Sequence, residues 1–316
     1  MPVYVLNPFK GRDIVDITEF TRSDLEWLFR VTDHIMESPE SFSSALRGRI
    51  LACAFFEPST RTRLSFEAAI KRLGGQAIGF TKPSETSLKK GEKFVDIMRM
   101  LDIYSDVIVV RHPLEGAAKL AAEICENPII NGGDGKFQHP TQTMLDLYTI
   151  YREYGHIDGL TIGVLGDLKY ARTTNSLLMG LTLFSPKKIY LISPELLRPR
   201  DTIVEYLKKS NVRFELLDNI KDIIGELDVL YVVRIQKERF PDPSEYEKIR
   251  GSYRITLENL QDTKDTFKIL HPLPKLDEID PEIDQTKHAL YFKQARYGLY
   301  VRMALLLSIL LDNPLQ

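Results

Sequence analysis

Short apolar runs alternate with segments of helical spacing along nearly the whole 316-residue chain. The runs at 50–56, 76–80, 107–110, 128–130, 161–165, 188–192, 213–216, 229–233 and 267–270 place apolar, often β-branched residues on successive positions. Such runs predict strands buried on both faces, as in a parallel sheet. Between them, the patterns at 62–73, 93–103, 116–125, 173–183 and 202–210 predict helices, the first stopped by Gly74-Gly75. A longer helical pattern covers about 141–154, and another about 294–311. Strand–helix alternation of this kind implies parallel sheets covered by helices. The predicted class is therefore α/β: two doubly wound α/β domains with central parallel sheets, joined by interdomain helices. Length agrees, being roughly twice that of a typical domain. The expected division is 1–148 and 149–293, with a final helix at about 294–316 packing back on the first domain.

Nearly every predicted strand runs into polar groups capable of chemistry. The first leads into Glu57-Pro58-Ser59-Thr60-Arg61-Thr62, the third into Arg111-His112, the fourth into Asn131-Gly132-Gly133-Asp134. Later strands lead into Gly166-Asp167, Arg234-Ile235-Gln236 and His271-Pro272-Leu273-Pro274. Ligands of parallel α/β sheets sit outside the carboxyl ends of strands, so these distant residues are candidates for a shared cleft. Ordinary turn chemistry accounts for Asp and Asn at strand ends but poorly for Arg111 and Arg234.

Composition narrows the class further. Lys and Arg number 42 against 44 Asp and Glu, a net charge of −2, which excludes a nucleic-acid binder that relies on overall positive charge. The apolar stretch at 303–311 is too short to span a bilayer, and residues 1–13 lack the apolar core of a secretory signal. The two cysteines, Cys53 and Cys125, stand apart within or beside apolar runs and read as buried free thiols. A cytoplasmic protein is expected, with no membrane partner. The six histidines are scattered with no metal-ligand spacing, and Gly163-Val164-Leu165-Gly166 lacks the dinucleotide fingerprint, so no metal and no cofactor are expected.

Ser59-Thr60-Arg61-Thr62-Arg63 lies between a strand and a helix, where hydroxyls, free backbone N–H groups and a guanidinium make an anion site. Taken alone, so short a motif is better accounted for by ordinary N-capping with solvated arginines. The wider run Phe55-Phe56-Glu57-Pro58-Ser59-Thr60-Arg61-Thr62-Arg63-Leu64-Ser65-Phe66-Glu67 decides between them: it resembles the carbamoyl-phosphate motif of the aspartate and ornithine carbamoyltransferases. Gln138-His139-Pro140-Thr141-Gln142-Thr143 resembles the second signature of that family. The blocks beginning at Gly166, Arg234 and His271 resemble its aspartate-specific branch, and all occur in family order. Ornithine enzymes normally carry H-C-L-P where this chain reads His271-Pro272-Leu273-Pro274, and a pair of arginines suits a dicarboxylate better than a diamino acid.

The resemblance implies transfer of a carbamoyl group from carbamoyl phosphate to L-aspartate, the committed step of pyrimidine biosynthesis. It assigns the phosphate to Ser59, Thr60, Arg61 and Thr62, and the carbamoyl oxygen to Thr62, Arg111 and His139. Gln142 and the backbone of Leu273 and Pro274 would serve the carbamoyl NH₂, and Leu273 also the attacking amine. Arg172 and Arg234, assisted by Gln236, would grip the aspartate carboxylates. The loop at 82–92 would enter the site of a neighbouring subunit with Ser87 and Lys90, Lys89 being the other candidate. A homotrimer with shared sites follows, and some relatives pair with a separate zinc-containing regulatory chain. The rival readings are an ornithine carbamoyltransferase and a non-catalytic scaffold that retains the fold.

Overall fold

The computed structural model describes residues 6–82, 90–235, 242, 244 and 253–315. The chain divides into two compact units, Met1–Leu145 with Tyr297–Gln316, and Asp146–Arg296.

In the first unit, strands β1 (Ile50–Phe55), β2 (Gln76–Phe80), β3 (Val107–His112) and β4 (Ile129–Asp134) form a parallel sheet in the order β2-β1-β3-β4. Central β1 and β3 are almost wholly buried, which is why they read as unbroken apolar runs, whereas edge strand β2 is largely open. Gly79 in β2 has φ +139 and a Cβ there would lie 2.2 Å from the Cys53 carbonyl oxygen, so only glycine lets this edge pair with β1. Helices α1 (Arg22–Glu37), α2 (Thr60–Arg72), α3 (Phe94–Tyr104) and α4 (Ala117–Ile124) belong to this unit. Of these, α1 is absent from the expectations above. It opens on a capping box between Thr21 and Asp24 and buries Leu25, Leu28, Thr32 and Ile35, a stripe at helical spacing.

In the second unit, β5 (Thr161–Gly166), β6 (Lys188–Ile192), β7 (Phe214–Leu217), β8 (Val229–Val233) and β9 (Lys268–Leu270) form a parallel sheet ordered β7-β6-β5-β8-β9. Its helices include α6 (Arg172–Leu181) and α7 (Asp201–Lys209). A core of Leu165, Ile192, Leu227, Leu230, Phe267, Ile269 and Ile279 lies on one face of the sheet.

Two helices carry the chain from one unit into the other: α5 (Pro140–Tyr154) and α8 (Tyr291–Leu310). The later turns of α8 are tied to the chain's beginning, where Gly11 N–H donates to the Ile309 carbonyl at 3.0 Å and Asn7 Nδ2 to that of Ser308 at 2.8 Å.

Both sheets are doubly wound, as expected. In the first, the chain leaves β1 to β2 on one side and then returns to β3 on the other; in the second, β5 plays the same part between β6 and β8. The carboxyl ends of β1 and β3, and of β5 and β8, are thus the topological switch points where such sheets bind ligands.

Candidate active site

At the first switch point Phe55 pairs in register with Arg111, and the Phe56 N–H donates to the Arg111 carbonyl at 2.8 Å. The Arg111 guanidinium is fixed twice, by Nη2 donating to Glu57 Oε1 at 2.8 Å and by Nη1 donating to the Gly132 carbonyl at 2.9 Å. Its side chain is 14% exposed, so these charge-assisted bonds act where solvent competes little. Strands β3 and β4 extend further than predicted. Arg111 and His112 are the last residues of β3, and the ladder continues through Asn131 to Asp134 because backbone pairing is indifferent to the side chain carried.

Helix α2 begins at Thr60 rather than 62, so Thr60, Arg61 and Thr62 form its first turn. Ser59 sits at the N-cap in extended conformation but makes no side-chain cap bond. The first N–H groups of a helix have no partner within it and carry the positive end of its dipole. Thr62 is only 7% exposed. A Cβ on Gly132 would lie 3.0 Å from Val109 Cγ1 and 3.3 Å from the Val110 carbonyl oxygen, so the bare glycine eases the packing of β4 against β3. The Gly132 carbonyl is the one that accepts from Arg111.

The end of β4 is tightly tied. Asn131 Nδ2 donates to Asp134 Oδ1 at 2.9 Å, Gly133 N–H to Asn131 Oδ1 at 2.8 Å, and Gly116 N–H to Asp134 Oδ2 at 2.8 Å. Asp134 bridges Gln138, whose Nε2 donates to Asp16. This turn delivers His139, 4% exposed, to the start of α5, where its carbonyl accepts from the Gln142 and Thr143 N–H groups. Pro140 at the first helical position has no N–H to leave unsatisfied. Spacing by three puts His139 and Gln142 on one side of that turn. His112, a feature the sequence reading left without a role, packs its ring against Phe56 and Phe94 at centroid distances of 5.1 and 5.3 Å. Burial holds its imidazole below the ordinary value, and its Nδ1 accepts from the Leu114 N–H.

The second switch point is equally constrained. Gly166 has φ +117 and a Cβ there would stand 2.0 Å from the Val233 carbonyl oxygen. Asp167 follows, fully buried, with Oδ1 accepting from the Lys169 and Tyr170 N–H groups at 3.1 and 2.8 Å. That turn ends at Arg172, 5% exposed and the first residue of α6. Arg234 follows Val233 at the end of β8, the strand paired with β5. The loops carrying the two arginines thus leave neighbouring strands. From β9, next to β8, the chain enters His271-Pro272-Leu273-Pro274, where Leu273 has φ +58 and the Leu273–Pro274 peptide is cis. His271 Nδ1 accepts from the Leu273 N–H and its Nε2 meets Glu278 Oε1, each at 2.8 Å. Burial pushes the Glu278 carboxyl up, but the bonds from His271 and the backbone outweigh it and hold the group below its ordinary value.

Of the remaining expected residues, Ser59 is half-buried, and Thr60, Arg61 and Lys90 are exposed. Ser87, Lys89 and Gln236 lie outside the described residues. Cys53 is buried, with its thiol pushed up to about 12 by burial, while Cys125 is only half-buried. Among the described residues no group of three or more His, Cys, Asp or Glu is placed to hold a metal ion, and no helix is long and apolar enough to cross a membrane.

Residues 12–152 match the family model of the aspartate/ornithine carbamoyltransferase carbamoyl-phosphate-binding domain, and 158–309 that of the Asp/Orn-binding domain. The chain belongs to the aspartate/ornithine carbamoyltransferase family. Within this carbamoyltransferase family it is 57% identical over 304 residues to the aspartate carbamoyltransferase catalytic subunit of Thermofilum pendens, covering 96% of each chain. It is likewise 57% identical to that of Pyrobaculum arsenaticum, covering 96% of this chain and 99% of the relative. Among solved structures it is similar to aspartate transcarbamoylase from Trypanosoma cruzi in complex with N-(phosphonacetyl)-L-aspartic acid, at TM-score 0.91 and 36% identity over 96% of this chain and 97% of that one. The catalytic subunit of the M. jannaschii enzyme matches at TM-score 0.86 and 48% identity, covering 93% and 96%. The chain is a carbamoyltransferase, and its relatives stand on the aspartate side of the family.

Proposed function

We propose that this chain transfers the carbamoyl group of carbamoyl phosphate to the amine of L-aspartate, giving N-carbamoyl-L-aspartate and phosphate, the committed step of pyrimidine biosynthesis. The observation that carries the residue assignments is the double anchoring of Arg111 beside the open start of α2. The N–H groups of that helix start, with Ser59, Thr60 and Arg61, take the phosphate. Thr62, Arg111 and His139 face the carbamoyl oxygen, and Gln142 the carbamoyl NH₂. Arg172 and Arg234, with Gln236, take the two carboxylates of aspartate through paired guanidinium bonds.

In the reaction the amine nitrogen attacks the carbamoyl carbon, and a tetrahedral intermediate forms. Its C–O bond to phosphorus breaks, with the electron pair leaving on phosphate. Negative charge that grows on the carbamoyl oxygen is met by Arg111, His139 and Thr62. Backbone carbonyls of the Pro272-Leu273-Pro274 turn accept from the amine and the carbamoyl NH₂, and departing phosphate takes the amine proton. Direct transfer needs no acyl-enzyme, and positioning with preorganised charge supplies the rate.

We further propose a homotrimer in which Ser87 and Lys90 serve a neighbouring subunit's site, working in the cytoplasm. The name "catalytic subunit" carried by the relatives supports a separate regulatory chain as partner, and we propose that the zinc belongs to that regulatory partner. A colorimetric assay for N-carbamoyl-L-aspartate, run beside one for citrulline, tests the reaction. Citrulline formation supports the ornithine reading, and neither product supports the scaffold. Mass determination in solution tests the trimer.

A further inference from the structure

Leu273 is one of two non-glycine residues with positive φ among the described residues, the other being Asn211. Asparagine tolerates that region, whereas the Cβ of a leucine there crowds the following carbonyl oxygen. A conformation of this kind persists only where its surroundings over-determine it. Here the surroundings can be traced bond by bond. The Leu273 N–H donates to His271 Nδ1 at 2.8 Å, so that nitrogen carries no proton. The ring proton is therefore on Nε2, which donates to Glu278 Oε1 at 2.8 Å. Both Glu278 oxygens also accept from the Leu276 N–H at 3.1 Å, so one carboxylate ties the turn on its far side. His271 itself is 2% exposed, and its backbone N–H donates to Gln294 Oε1 at 2.9 Å. Gln294 Nε2 donates to Asp146 Oδ1 at 2.6 Å, and the Tyr231 hydroxyl to Asp146 Oδ2 at 2.8 Å. A buried chain from α5 through α8 to β9 thus ends in a neutral imidazole that grips the turn.

We propose that His271 and Glu278 are positioning residues for carbamoyl transfer. They hold the backbone of Pro272-Leu273-Pro274 in the single conformation that offers its carbonyls to the substrate N–H groups; this rests on the reading of that turn given above. Glu278 never touches substrate. It fixes the tautomer of His271, and His271 fixes Leu273. Only a tautomer with a bare Nδ1 can accept from the Leu273 N–H, so losing the carboxylate frees the ring to protonate Nδ1 and release the turn. Glutamine at 278 keeps an acceptor for Nε2–H and for the Leu276 N–H, whereas alanine keeps neither.

The test compares Glu278→Gln and Glu278→Ala in the full-length enzyme, with kcat and both KM values measured. Misplacement of reacting groups by about 1 Å costs about 100-fold, and kcat of Glu278→Ala is expected to fall by that order. The KM for carbamoyl phosphate, whose phosphate the turn does not touch, is expected to change far less than kcat. Glu278→Gln is expected to recover most of the loss, a rescue that a merely structural defect does not give. Equal losses in the two variants, or an unchanged kcat in Glu278→Ala, overturn the inference. Should the alanine variant fail to fold, NMR of the wild-type enzyme with nitrogen-labelled histidine decides: a bare Nδ1 on His271 supports the inference and a protonated one overturns it. Wild-type enzyme that forms no N-carbamoyl-L-aspartate overturns the functional reading and the inference with it. An active wild type beside a fully active Glu278→Ala overturns the inference alone.

Discussion

The guanidinium of Arg111 is bonded to Glu57 at 2.8 Å, so a carboxylate just before helix α2 aims a cation of the proposed site. The pair is only partly exposed, and the aim is kept by a second bond to the Gly132 carbonyl. Arg111→Ala is expected to lower kcat by at least about 100-fold, the loss that accompanies removal of one oxyanion donor. Glu57→Gln keeps the shape and weakens the aim, and is expected to lower kcat by a smaller factor of about 10. Steady-state rates across carbamoyl phosphate concentration check both, and a Glu57→Gln enzyme as impaired as Arg111→Ala contradicts the ranking.

Arg234 should act on the other substrate. Losing one bidentate carboxylate contact forfeits about 1.5–3 kcal/mol. Arg234→Gln is therefore expected to raise the KM for aspartate by roughly 10- to 100-fold while leaving that for carbamoyl phosphate near its wild-type value. Parallel increases in both KM values contradict the division of labour.

His112 links stability to pH. Burial lowers its folded-state value below the ordinary imidazole value of 6.5, so the native ring resists a proton that the unfolded chain accepts readily. The unfolded state then binds more protons, and stability rises with pH. The contribution is fully present above 6.5 and is lost as pH falls toward the lowered folded-state value. His112→Phe, which retains a ring beside Phe56 and Phe94, is expected to flatten this slope. Urea unfolding across that range checks it, and an unaltered slope in the variant removes His112 as the cause.

Gly166→Ala joins backbone strain to a collision, because its φ is +117 and the new Cβ would stand 2.0 Å from the Val233 carbonyl oxygen. Strain and overpacking together should cost about 3 kcal/mol or more. Calorimetry should show a fall in Tm, whereas Gly159→Ala, at φ +76 with open space around it, isolates the strain part.

Much of this architecture was legible because parallel strands covered on both faces leave nothing but apolar residues to read. The strand ends that carry the proposed site residues were legible for a related reason: a charged residue such as Arg111 or Arg234 ends an apolar run abruptly. The lengths of β3 and β4 were not, since Asn131 and Asp134 interrupt the apolar pattern while their backbones continue the ladder. Helix α1 carried its signals, a stripe at 25, 28, 32 and 35 and a capping box closed by Asp24, but charged residues between them diluted the periodicity. No spacing rule could have joined Gln294 to Asp146, which lie 148 positions apart, or named His271 as the grip on Leu273. Such bonds depend on the fold having already brought their elements together.

The first unit is assembled from both ends of the chain, Met1–Leu145 and Tyr297–Gln316. During synthesis its core is expected to wait, with the surface that will receive Val301, Leu305 and Ile309 still bare, until residues 297–316 have been made. The unit translated first is therefore the one completed last, and a nascent chain halted anywhere inside the second unit presents that exposed surface to chaperones rather than a finished half-enzyme.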